Sequence, residues 1–253
     1  MLKPLKLLLL LLILSLLLSA PALAKGRIAR LDTGLSNVYL IKGDKPILVD
    51  TSGPGHEAEI ETWLKQNGVE PKDLAYIILT HGHADHAGGA AYFARKYQIP
   101  LMAGRGDMDM IHAGRVGELK PTSLLAGMLR LFVNVPYEPF EPTSIIDQEI
   151  SLKAYGIDGR VLPLPGGHTR GSLAVILDDT HEALVGDLVR GDLFIPGLAD
   201  EHFFHENRQL ARWQLWDLIT HQGVKGLYPG HFEGFSADEV RVRFFPEGHF
   251  AWP

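Results

Sequence analysis

Six consecutive residues, His81-Gly82-His83-Ala84-Asp85-His86, set three imidazoles and a carboxylate just after an apolar stretch, Leu74-Ala75-Tyr76-Ile77-Ile78-Leu79. Unpaired imidazoles and a carboxylate are costly to hold together. The run therefore demands a fold that ends a buried strand in a polar, ligand-bearing loop. Imidazole and carboxylate together suit zinc or iron, whereas magnesium and calcium require mostly oxygen ligands. Side chains two positions apart in an extended loop share a face, so His81 and His83 can converge on one ion. Asp85 and His86 come from the next turn and can aim at a second ion nearby.

Each ion needs further ligands from elsewhere in the chain. His168 stands in Leu164-Pro165-Gly166-Gly167-His168-Thr169, Asp187 in Val185-Gly186-Asp187, and His231 in Tyr228-Pro229-Gly230-His231. A glycine precedes each, which lets the backbone turn sharply and present the side chain. Taken singly, such residues are most often surface or hydrogen-bonded groups, and it is their order and glycine context that mark them out. His202 and His205, in Glu201-His202-Phe203-Phe204-His205, are weaker candidates for lining a pocket as substrate contacts. His56, His112, His181, His221 and His249 read as surface residues. Tyr228 can donate a hydrogen bond to an oxyanion, although packing beside its loop is the more ordinary role.

Patterning predicts strands over Arg27 to Leu31, Asn37 to Lys42, Pro46 to Asp50 and Ala75 to Leu79, the last buried by its uninterrupted apolar character. A helix is expected over Glu57 to Asn67, with Ile60, Trp63 and Leu64 on one face and Gly68 ending it, and another over Ala87 to Tyr97. Strands return over Ile150 to Tyr155, Arg160 to Leu164, Leu173 to Leu177 and Ala183 to Val185, and a helix from Asn207 to Thr220 ends the series. Strand–helix–strand alternation implies an α/β layered fold, with two β-sheets flanked by helices on the outside. Ligands that follow a strand directly sit at its carboxyl end, where α/β folds place their sites.

Residues 104–142 differ. They carry Met108, Met110 and Met128, few strand signals and an apolar helix-like stretch from Leu124 to Val135. Ordinary helical packing is one reading, and a lid or pocket wall over the site is the other. Arg130 is the only positive charge in that stretch, which weakens a membrane-surface role.

Residues 1–24 have the form of a signal peptide: Lys3 and Lys6, an apolar run from Leu7 to Leu18, and Ala22-Leu23-Ala24 as the cleavage pattern. Cleavage after Ala24 leaves one expected domain, residues 25–253, in a periplasmic or secreted protein with no stable membrane anchor. The run is shorter than the ~20 residues a spanning helix needs. The sequence has no cysteine, which removes any lipoprotein anchor, disulfide framework or thiolate ligand. Without Lys3 and Lys6 the formal charge moves from −6 to −8, against 30 acidic residues. That balance opposes a nucleic-acid partner and leaves a small-molecule substrate.

The chain resembles the metallo-β-lactamase superfamily over residues 27 to 235. The features that carry the resemblance are Asn37-Val38-Tyr39-Leu40-Ile41, Val49-Asp50-Thr51, the His81 to His86 run with Gly88-Gly89, Gly167-His168-Thr169, Gly186-Asp187 and Gly230-His231. The resemblance implies a four-layer αβ/βα sandwich with two divalent metal ions between the sheets, zinc first, iron or manganese also compatible. It further implies one ion on His81, His83 and His168, the other on Asp85, His86 and His231, with Asp187 bridging and Asp50 orienting the histidine loop. The expected chemistry is attack of a hydroxide shared by two ions on a carbonyl carbon, with Asp85 as the catalytic proton shuttle.

Within the superfamily, antibiotic-hydrolysing members with this histidine run generally lack the bridging aspartate, so a β-lactamase is an alternative of low weight. Hydroxyacylglutathione hydrolases add a C-terminal helical region, for which the residues after His231 leave little room. The tRNA-processing nucleases fit poorly with export and acidic charge, and flavin-linked diiron members carry a glutamate where this chain has His83. The expectation is a hydrolase of the lactonase or glyoxalase-like kind, acting on a carboxylic ester, lactone or thioester. A mononuclear-iron sulfur dioxygenase, using positions like His81, His168 and Asp187, is an alternative, as is a non-catalytic metal-binding protein.

Overall fold

A computed structural model describes residues 27–133 and 135–250. The leader expected over residues 1–24 lies outside the described residues. The first sheet has the order β1 (Ile28–Asp32), β2 (Asn37–Ile41), β3 (Ile47–Val49), β4 (Tyr76–Ile78), β5 (Leu101–Gly104) and β6 (Ser144–Ile146). Strands β1 to β3 pair antiparallel and β3 to β6 parallel. Between them run α1 (Glu57–Gln66), α2 (Ala84–Ala87), α3 (Ala90–Tyr97), α4 (Met108–Ala113) and α5 (Leu124–Val133).

The second sheet is built from β7 (Ile150–Ser151), β8 (Gly159–Pro163), β9 (Leu173–Leu177), β10 (Glu182–Gly186), β13 (Gly226–Pro229) and β14 (Phe235–Ser236), in the order β14-β13-β10-β9-β8-β7. A short ribbon, β11 (Arg190–Gly191) with β12 (Ala199–Asp200), precedes α6 (Arg208–Thr220), and α7 (Ala237–Phe244) follows β14. Strands β10 and β13 are parallel, so their carboxyl ends lie side by side.

The period of two along each strand sorts the side chains into three cores. Val38, Leu40, Leu48, Ile77 and Leu101 face α1 and α3, where Ile60, Leu64 and Phe93 meet them. Their neighbours Tyr39, Ile41, Ile47, Val49, Ile78 and Met102 face Val161, Val175, Leu177 and Leu184 of the other sheet. Ala174, Ile176, Ala183, Val185 and Leu227 point outward onto Ala211, Leu215 and Leu218 of α6 and Val240 of α7. Helix, sheet, sheet and helix thus form the four-layer sandwich. Full burial of each aliphatic side chain contributes about 1.5–3 kcal/mol, and the central strands are apolar on both faces because both are covered.

Several expected elements shift. The strand expected over Ile150 to Tyr155 stops at Ser151, and Lys153–Tyr155 forms a 3₁₀ turn that ends at left-handed Gly156, φ 71°. The helix expected from Ala87 instead begins at Ala84 and breaks at Gly88-Gly89, where a Cβ on Gly88 would lie 2.5 Å from the Ala84 carbonyl oxygen. Residues 104–142 open with the last residue of β5, and their helical stretch ends at Val133. The helix at Asn207 to Thr220 is not the final one, since α7 follows. Among the described residues no helix is long and apolar enough to cross a membrane.

Candidate metal centre

The ligand-bearing segments leave the two sheets at the same end. Just beyond β4, Thr80 leads into His81, and beyond β3 lies Asp50, held at φ 64°. The Asp50 carboxylate accepts the Thr80 N–H at 2.7 Å on Oδ1, and the Thr80 hydroxyl and His86 Nδ1, each at 2.8 Å, on Oδ2. The Thr80 hydroxyl, having donated to Asp50, accepts from His81 Nδ1 at 3.1 Å. These bonds engage Nδ1 of His81 and His86 as the donor and turn each Nε2 toward the site, the orientation a metal ligand needs.

His168 is set the same way, its Nδ1 donating to the Phe204 carbonyl at 2.8 Å, which brings its Nε2 within 3.2 Å of His83 Nδ1. His83 has the extended backbone expected of it, and α2 then presents Asp85 and His86. The His231 loop is fixed by the first sheet: Asn37 Nδ2 and the Tyr39 hydroxyl donate to the Pro229 carbonyl at 2.9 and 2.7 Å. Gly230 must be glycine, because a Cβ there would lie 2.2 Å from Asp187 Oδ1 and 2.6 Å from His86 Cε1.

The result is two clusters of possible ligand atoms that share one residue. His81, His83, His168 and Asp187 form one, and Asp85, His86, Asp187 and His231 the other, with the atoms of each lying within 4.8 Å of one another. Asp187 Oδ2 stands 3.5 Å from His81 Nε2, 3.6 Å from His168 Nε2 and 3.4 Å from His231 Nε2, while its Oδ1 stands 3.3 Å from His86 Nε2. Asp85 Oδ2 is 3.3 Å from His231 Nε2. All seven residues singled out in the sequence are therefore brought together.

Two buried atoms, His81 Nε2 and Asp187 Oδ1, have no hydrogen-bond partner, and buried polar atoms are normally satisfied. Cations between these nitrogens and oxygens would satisfy them, and the donor set fits divalent metal ions. Electrostatics agree. Burial, reinforced by neighbouring imidazoles, holds His81 and His168 well below the usual histidine range, and burial lowers His83 to about 4, keeping all three neutral. Burial also acts to lower His86 and His231, but Asp187 and Asp85 outweigh it. His86 rises well above its usual value and His231 reaches about 9. Burial would raise Asp85 and Asp187, yet the surrounding histidines pull both below the carboxylate range. In the second cluster protons on imidazole thus balance the carboxylates, and metal binding displaces them.

Sequence reasoning undervalued His202. Its ring is buried, with Nε2 3.1 Å from Asp187 Oδ2, stacked on His231 with centroids 5.5 Å apart and edge-on to His168 at 4.7 Å. His205 is buried too, lowered to about 3 by burial, and its Nδ1 lacks a hydrogen-bond partner. The Tyr228 hydroxyl donates to Glu182 Oε1 at 2.8 Å, which commits it to packing beside its loop. Of the five histidines read as surface residues, His112, His181, His221 and His249 are exposed and His56 is half-buried.

Two cavities meet at His83. One, of about 190 Å³, has Asp85, Asp187, His202 and His231 at its floor and apolar walls that include Leu35, Leu129, Val133 and Phe232. The other, of about 290 Å³, is more polar and includes Lys120, His168, Arg170 and His205. Of residues 104–142, Val116 and Leu119 line both, and Leu129 and Val133 line the first.

Known proteins resemble this chain in sequence and in fold. The chain is 29% identical over 214 residues to a probable metallo-hydrolase of Methanocaldococcus jannaschii, covering 78% of this chain and 88% of that protein. It is 29% identical over 192 residues to a hydroxyacylglutathione hydrolase of Anaeromyxobacter dehalogenans, covering 76% of this chain but 59% of that enzyme. A crystal structure solved in a di-iron-bound form superposes with a TM-score of 0.62 at 20% identity, covering 87% of this chain and 98% of the other, a likeness of fold. The family model of the metallo-β-lactamase superfamily matches residues 31–231, the span that runs from β1 through every ligand candidate, and the chain belongs to that superfamily.

Proposed function

We propose that the protein is a metal-dependent hydrolase, exported to the periplasm or beyond, that cleaves a carboxylic ester, lactone or thioester of a small molecule. The observation that carries this reading is the sharing of Asp187 between two ligand clusters on the floor of a largely apolar cavity. His81, His83 and His168 would hold one divalent cation, Asp85, His86 and His231 the other, and Asp187 both, with zinc the first candidate. When bound, such a pair supplies Lewis acidity at a carbonyl and activates water.

The chain's own side chains supply the rest. Asp85 is half-buried at the cavity floor, and its carboxylate is held ionised by His86 and His231, so it can accept a proton from water and pass it to the leaving group. Leu35, Leu129, Val133 and Phe232 line one side and suit an apolar acyl group, while the more polar cavity beyond His83 suits a hydrophilic leaving group. The form of residues 1–24 supports export, and the acidic balance of the chain supports a substrate other than nucleic acid.

The test is turnover of a panel of carboxylic esters, lactones and thioesters by metal-loaded protein. Hydrolysis of at least one class is expected, with Asp85→Asn lowering kcat by about 10²–10⁴-fold, the range of a lost proton-transfer group. Full metal loading with no hydrolysis across the panel overturns the reading. A single iron per chain with oxygen consumption replaces it with an oxidoreductase.

A further inference from the structure

Asp107 closes a 3₁₀ turn, Arg105–Asp107, just after β5, and its side chain is buried. Its Oδ2 accepts the backbone N–H of Gly82 at 2.8 Å and the Thr169 hydroxyl at 2.8 Å, and its Oδ1 accepts the N–H of Gly171 at 2.7 Å. Gly82 lies between His81 and His83, and Thr169 follows His168. One carboxylate therefore ties together the two segments that carry all three imidazoles of the first cluster; its partner in the histidine run, Gly82, stands between two of them, whereas Asp85 and His86 of the second cluster follow on α2.

The approach is close enough to dictate the partner residues. A Cβ on Gly171 would lie 2.6 Å from Asp107 Cγ, and one on Gly82 would lie 3.1 Å from its Cβ. Tyr137, from the same 104–142 segment, donates its hydroxyl to the Gly82 carbonyl at 2.8 Å. Both backbone polar groups of the residue between the two histidines are thus held from outside the loop. Asp50 works differently: it bonds His86 directly and reaches His81 through the Thr80 hydroxyl.

Resting on the metal-centre reading above, we propose that Asp107 is a positioning residue that fixes the His81–His83 loop against the His168 loop and so sets cation affinity chiefly in the first cluster. Groups that orient metal ligands from behind typically change affinity by about 10–100-fold when altered. Asparagine keeps the shape of Asp107 but turns an amide N–H toward at least one of three donors, which breaks the clamp without opening a cavity.

The test measures Zn²⁺ affinity by calorimetry with chelator competition in single-cluster backgrounds. His231→Ala leaves the first cluster intact, and His83→Ala leaves the second. Asp107→Asn is expected to weaken Zn²⁺ binding about 10–100-fold in the His231→Ala background. In the His83→Ala background the loss should be clearly smaller, because Asp107 bonds neither Asp85, His86 nor His231, although Asp187 is shared. Thr169→Val removes one of the three bonds and should give a smaller loss with the same selectivity, and it decides the matter if Asp107→Asn does not fold. Equal losses in both backgrounds, or none in the first, overturn the proposal and leave the metal centre standing. Absence of Zn²⁺ binding by the unsubstituted protein overturns both together.

Discussion

At the scale of single residues, the site is a store of opposed protonation preferences. Burial depresses His83 to about 4 and His205 to about 3. Below the ordinary histidine value of about 6.5, the unfolded chain takes up protons that these folded rings refuse. Stability therefore falls as pH drops toward those values, by about 1.4 kcal/mol per group per pH unit. His231 has the opposite sign. Raised to about 9 by Asp187 and Asp85 against the effect of burial, it contributes stability that is complete below about 6.5 and lost as pH climbs through 9. The metal-free protein should accordingly be most stable near pH 6.5, and chemical denaturation in chelator at pH 5, 6.5 and 8.5 checks it. A monotonic trend across that range contradicts the assignment.

The residues most legible in the sequence were those whose chemistry is unusual in a short span. Three imidazoles and a carboxylate within six positions are costly to bury together unless cations lie between them. The glycines before His168, Asp187 and His231 are required for different reasons: Gly186 takes a left-handed φ of 51°, whereas Gly167 and Gly230 leave no room for a Cβ beside Gln214 and Asp187. His202 was undervalued and Asp107 missed for a physical reason. His202 acquires its position from the Phe204 loop folding back across Asp187. Asp107 acquires its position from three long-range bonds that no local pattern encodes.

At the scale of elements, strands with long apolar runs were readable, and short or turn-interrupted ones were not. Strand β9 was delimited correctly because Leu173 to Leu177 is apolar on both faces and is buried on both. Strands β5 and β6 went unread beside a stretch taken as an insertion, because Leu101-Met102-Ala103-Gly104 holds no β-branched residue and Ser144–Ile146 is only three residues long. Helix α5 carries the main functional consequence at this scale. Its Leu129 and Val133 wall the apolar cavity beside Asp85 and Asp187. Each methylene that an acyl substrate buries there is worth about 0.8 kcal/mol, or roughly fourfold in kcat/KM. In a homologous series of acyl esters the unsubstituted protein should gain by about that factor per added methylene until the cavity fills. Leu129→Trp occupies the same volume and should flatten that gain while metal content stays unchanged. An identical chain-length dependence in both proteins would remove α5 from specificity.

At the scale of the whole molecule, the sandwich explains why ligands so distant in sequence meet. The first sheet delivers His81, His83, Asp85 and His86 past the end of β4, and the second delivers Asp187 and His231 past the neighbouring parallel ends of β10 and β13. The core between the sheets, Tyr39 through Leu184, fixes the distance between those two sets. Because Asp187 belongs to both clusters, it is the residue whose loss should be felt on both sides of the centre.

The most direct measurement is metal stoichiometry by mass spectrometry, after equilibration with Zn²⁺ and removal of excess, for the unsubstituted protein beside His83→Ala, His231→Ala and Asp187→Asn. Two ions per chain are expected in the first, one in each histidine variant, and weakened retention of both in Asp187→Asn. A single ion in the unsubstituted protein, or two ions held undiminished by Asp187→Asn, would contradict a centre in which two cations share that carboxylate.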